Sequence, residues 1–179
     1  METLLTEAEE TRYSELQALA LDHARHGETE SLAAMLAHGL PVNLADTKGN
    51  TLLMLASYNG NAETASMLLE RGADVDRRND RGQTPLGGVA FKGYAEIAAL
   101  RLAHGAEIDA DNGGGMTPLM FAALFGRGNV VALLRARGAS FQRRSRFGLS
   151  ARWLIRLARC VAFFKRKPTP IPAPAAAVA

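Results

Sequence analysis

Short apolar runs recur along the chain, each opened by a hydroxyl residue and closed by a glycine. The runs sit at a constant interval. Gly49, Gly82, Gly115 and Gly148 stand 33 residues apart, and so do Gly39, Gly72, Gly105 and Gly138. Two residues after each glycine of the first set comes a hydroxyl, in GNTLL, GQTPL, GMTPL and GLSAR. A Thr at that place can accept hydrogen bonds from the free amides of a first helical turn, and the Pro after Thr84 and Thr117 has φ preset and no amide to satisfy. Helices are therefore expected to begin near 51, 84 and 117 and to run to Gly60, Gly93 and Gly126, residues able to take the positive φ that closes a helix. A second helix follows in each unit, ending in MLLERG, LRLAHG or LLRARG, and a short connecting string leads to the next start.

One helix pair cannot bury its own apolar face, so such units are expected to stack into a continuous one-dimensional core. The period of 33 and the strings TPLGGVA, TPLMFAA, LLERGADVD and LAHGAEID resemble the ankyrin repeat, over roughly residues 14 to 147. The resemblance implies an all-α fold, an α-solenoid of helix-turn-helix units with a β-turn finger in each. Four units are expected, at about 14–46, 47–79, 80–112 and 113–145. Residues 1–13 read as an N-terminal extension or cap, with Leu4 and Leu5 as packing points. Residues 148–167 read as a capping or amphipathic basic helix, and the Pro/Ala-rich 168–179 as a disordered tail. Arg152 and Arg156 stand where the repeat puts buried Leu and Ala, so the stack is expected to end there.

Two departures fall inside the array. Arg101 stands one period from Leu68 and Leu134, on the expected buried face, and is expected to snorkel to solvent or meet Glu63 or Glu96. Gly87 and Gly88 occupy a helix interior, at a cost of about 1 kcal/mol each relative to Ala, which marks the third unit as the weak part of the stack.

The ankyrin resemblance places a binding surface on the concave side. At the finger tips it selects Lys48, Asn50, Arg78, Arg81, Gln83 and Met116. On the first helices it selects Tyr58, Asn59, Phe91, Lys92, Leu124 and Phe125. Tyr58, Phe91 and Leu124 share the 33-residue spacing and should align into a stripe, while Phe125 could equally pack between helices. Exposed aromatics ringed by cations suit an interface core with a polar rim. The implied partner is a protein, bound by an adaptor, inhibitor or scaffold that is itself expected to be monomeric.

Charge adds an asymmetry. The chain of 179 residues has a net charge of +3, yet every acidic residue lies at or before Asp111; the first 111 residues carry −9 and the remainder +12. In 150–167, Trp153, Leu157, Val161 and Phe164 recur at helical spacing while Arg152, Arg156 and Arg159 share another face, which allows an anionic membrane surface or an acidic partner as an alternative. Nucleic acid is disfavoured, since no reader motif accompanies the charge.

Catalytic chemistry is not legible. His23 and His26 could share a helical face, but no Cys/His cluster or HExxH accompanies them or His38 and His104. Gly113-Gly114-Gly115 lacks the continuation of a phosphate loop and falls at a finger tip. No metal, cofactor or enzymatic activity is expected. A single cysteine, Cys160, an acidic N-terminus unlike a signal peptide, and the lack of an apolar run free of Arg156 and Arg159 point to the cytoplasm.

Overall fold

A computed structural model describes residues 6–165, with side chains to Ala158; Leu4, Leu5 and the tail, and the side chains of Arg159, Cys160, Val161 and Phe164, fall outside the described residues. Nine helices are present among the described residues, and the expected pairing is seen. First helices α1 (Glu7–His26), α3 (Leu52–Asn59), α5 (Pro85–Lys92), α7 (Pro118–Leu124) and α9 (Ala151–Lys165) stack in one layer. Second helices α2 (Thr29–Ala37), α4 (Ala62–Glu70), α6 (Ala95–Ala103) and α8 (Gly128–Ala136) stack beside them. α1 runs without a break through residue 13 from a capping box at Thr6 and Glu9.

The helix starts fall at the hydroxyls. Thr51, Thr84 and Thr117 hold extended backbone and accept from Met54 N at 3.2 Å, Gly87 N at 3.3 Å and Met120 N at 3.3 Å. α3 closes at Gly60, whose φ of +88° suits a residue without Cβ, and the ring of Tyr94 from the next unit lies directly over that missing Cβ. The same reach-back occurs at the neighbouring turns: Asn61 Nδ2 donates to Ala24 O at 3.0 Å, and Arg127 Nε donates to Phe91 O at 2.9 Å. Carbonyls left open at the ends of α1 and α5 are thus satisfied by the unit that follows.

The connecting fingers are held by short polar side chains. Asp46 Oδ1 accepts from the amides of Lys48 and Asn50, each at 2.9 Å, and Asn79 Oδ1 does the same for Arg81 at 3.1 Å and Gln83 at 3.0 Å. Backbone bonds run between fingers, from Asp80 N to Lys48 O at 3.1 Å and from Arg146 N to Gly114 O at 2.7 Å.

Two clusters make up the core. One is built on Leu32, Leu52, Leu53, Leu68, Leu86 and Ile97, the other on Ala90, Leu119, Met120, Val130, Leu134 and Leu154. Their boundary runs through α5, where Leu86 and Val89 belong to the first and Ala90 to the second.

Arg101 differs from expectation: it neither snorkels nor meets Glu63 or Glu96. It is fully buried, donating to Ser57 Oγ at 3.1 Å and to Val75 O, both in the preceding unit. Burial lowers its pKa to about 10, against the opposing pull of the Asp76 and Asp74 carboxylates, so it stays charged near neutral pH. A guanidinium can replace Leu here because the preceding finger supplies a carbonyl and two carboxylates.

Candidate functional site

A groove of about 670 Å³ lies where the fingers meet the first helices. Its aromatic wall is a continuous chain: the rings of Tyr58 and Phe91 are parallel within 4° at 6.4 Å, and Phe91 meets Phe125 edge-on at 4.4 Å. Lys92 Nζ sits 4.5 Å above the Tyr58 ring. Tyr58 and Phe125 remain 44% and 43% exposed, so the chain is open to solvent although its rings touch. Three consecutive units contribute one ring each.

Of the residues selected from sequence, Lys48, Asn50, Tyr58, Arg81, Gln83, Phe91 and Phe125 line the groove. Lys48 and Arg81 are exposed on its finger side. Asn50 has its amide bonded to Asp46 and Asn79, and Gln83 accepts from Asn79, so both help to shape the finger. Arg78 donates to Gly82 O and across to Asp111 O, tying two fingers together. Asn59 donates to Leu55 O at 2.8 Å. Met116 is half-buried against the second core cluster, and Leu124 is exposed outside the groove lining. The third ring of the stripe is therefore Phe125, one residue beyond the position that spacing selects.

Sequence reading did not find Asp46, Asp80, Arg25 or Phe121, which also line the groove. Burial raises the Asp46 pKa, but bonds from the Asn50 side chain and the Asn50 and Lys48 amides, with the Arg25 charge, outweigh it and hold the carboxyl below its ordinary value.

Gly87 and Gly88 form the groove floor. A Cβ at Gly88 would stand 3.3 Å from the Tyr58 ring. A Cβ on Gly87 would collide with the amide of Asn112, which is buried and accepts from Thr84 N at 2.8 Å and Thr84 Oγ1 at 2.9 Å. Asn112 can turn inward because Asp111 takes over its finger, accepting from Gly113 N at 2.9 Å and Gly115 N at 2.8 Å. The paired glycines thus make room for two neighbouring side chains.

The far end of the stack is basic. Ala151 and Leu154 of α9 are buried in the second core cluster beneath α7, leaving Trp153 and Leu157 50% and 41% exposed. Among the described residues no group of three or more His, Cys, Asp or Glu side chains could hold a metal ion, and no helix is long and apolar enough to cross a membrane.

The sequence matches family profiles described as ankyrin repeats in many copies over residues 35–86 and ankyrin repeats in three copies over 74–145. The chain belongs to the ankyrin-repeat family. A protein of Pseudomonas aeruginosa named as an ankyrin repeat protein is 53% identical over 38 residues, 21% of this chain and 22% of that relative. The match thus spans about a fifth of the relative's length. Ankyrin repeats are a non-catalytic interaction fold and serve in general as protein–protein interaction modules, built around extended concave surfaces.

Proposed function

We propose that the groove is the docking site of a partner protein, and that the chain acts as an adaptor, inhibitor or scaffold through it. The observation that carries this reading is the chain of rings Tyr58, Phe91 and Phe125, one from each of three consecutive units and exposed at both ends, lining one groove with Lys48 and Arg81. Aromatic anchors inside a polar rim supply most of the energy in a typical protein interface. The first helices position the rings on packed turns, so little side-chain entropy is lost when a partner closes over them. The cytoplasm is the proposed compartment.

Affinity capture with the intact protein, followed by titration of the captured partner, tests the site. Tyr58→Ala together with Phe91→Ala is expected to weaken binding by at least ~2 kcal/mol, as loss of central aromatic anchors does, while circular dichroism stays helical. A partner bound equally well by the double variant would refute the assignment.

A further inference from the structure

The repeat makes it possible to say which way each helix position faces. Position 19 and its equivalents Leu52, Pro85, Pro118 and Ala151 face the preceding unit: they are buried wherever a unit precedes, and only Leu19, in α1, is 47% exposed. Position 22 grades the same way, with Asp22 exposed, Leu55, Gly88 and Phe121 half-buried and Leu154 buried. The opposite holds one residue on from the start. Ala20, Leu53, Leu86 and Leu119 are buried and Arg152 exposed; Met54, Gly87 and Met120 are buried and Trp153 exposed; Ala24, Ser57, Ala90 and Ala123 are buried and Arg156 exposed. These positions face the following unit, since they are buried wherever a unit follows and exposed on α9.

Among the described residues, α1 and α9 thus carry exposed faces of the same kind that join units within the stack. On α1 the backward face holds Leu19 and Asp22, extended by the exposed Tyr13 and Leu16. On α9 the forward face holds Arg152, Trp153 and Arg156. Their charges are opposite: α1 is rich in acid, with Glu7, Glu9, Glu10, Glu15 and Asp22 against Arg12 and Arg25, whereas no acidic residue follows Asp111. A second α9 would be repelled by the first, and a second α1 likewise.

We propose that the α9 face of one molecule docks the α1 face of a second copy, head to tail, continuing the stack across the junction. Trp153 takes the place that Met54 and Met120 hold inside the array, set against Leu19 and Leu16, while Arg152 and Arg156 meet Asp22 and Glu15. The contact is heterologous, so it leaves a free face at each end and adds further copies in a line. Exposed ion pairs make it salt-sensitive. The groove is not used, so the junction stands independently of the partner reading.

Sedimentation velocity of the full chain at roughly 0.1 mM, a concentration suited to a small interface, is expected to show a ladder of species that collapses to monomer in high salt. Trp153→Asp and Leu19→Lys each remove one face at an exposed position and are each expected to be monomeric. Mixed together, they retain one intact face of each kind and are expected to form a dimer that grows no further. A monomeric wild-type chain at low salt overturns the proposal. So does a dimer abolished by Trp153→Asp but not by Leu19→Lys, which would mean α9 against α9. Binding of the monomer to phosphatidylserine vesicles, lost in Trp153→Asp and without any self-association, overturns it in favour of a membrane surface.

Discussion

At the residue scale Arg101 is the least expected feature of the core. Its guanidinium bonds Ser57 and Val75 O, while its Nε and Asp76 Oδ1 have no hydrogen-bond partner although both are buried. Restoring Leu, as at Leu68 and Leu134, would improve the apolar packing. It would also strand the Val75 carbonyl and leave Asp76 without its counter-charge. An unsatisfied buried polar group costs about 1–3 kcal/mol, so Arg101→Leu is expected to lower stability by about that amount, measured by chemical denaturation. An equal or greater stability for the variant would show that the charge is dispensable. The sequence marked Arg101 as anomalous because spacing alone exposes a charge on a buried face. It did not reveal the partners, which lie 44 and 26 residues away and come together only when units stack.

At the element scale the informative helix is α5. Its two glycines read in the sequence only as a local weakness, because propensity counts the helix and not its neighbours. In the stack they are spaces occupied by Asn112 and Tyr58. Gly87→Ala should therefore reverse the usual propensity gain of about 1 kcal/mol and destabilise, since the Asn112 amide would be driven off the Thr84 cap. In an Asn112→Ala background the same change should be neutral or stabilising. A double-mutant cycle with no coupling between 87 and 112 would count against this account. The starts of α3, α5 and α7 were legible, because Thr caps and Pro at the first turn act locally, whereas the second helices carry no side-chain cap and α1 begins before the position expected for the first unit. Phe125 was harder to read: Leu124 holds the repeat position, but α7 ends there and the next residue turns toward Phe91.

At the scale of the whole molecule, stability in a solenoid is a sum over units and the contacts between them. The boundary between the two core clusters passes through α5, beside its glycines. Amide exchange is accordingly expected to be faster over residues 80–112 than over 47–79, and the third unit as the slowest to exchange would contradict that division. Period and fold were readable from glycine and hydroxyl spacing alone, whereas the groove's carboxylates were not, since Asp46 and Asp80 look like ordinary turn residues until the fingers align. The separation of charge along the axis, negative toward α1 and positive toward α9, has one more consequence. It gives the molecule a permanent electric dipole along its length, so a charged body approaching through dilute salt exerts a torque before it makes contact, and encounter begins with the molecule already oriented.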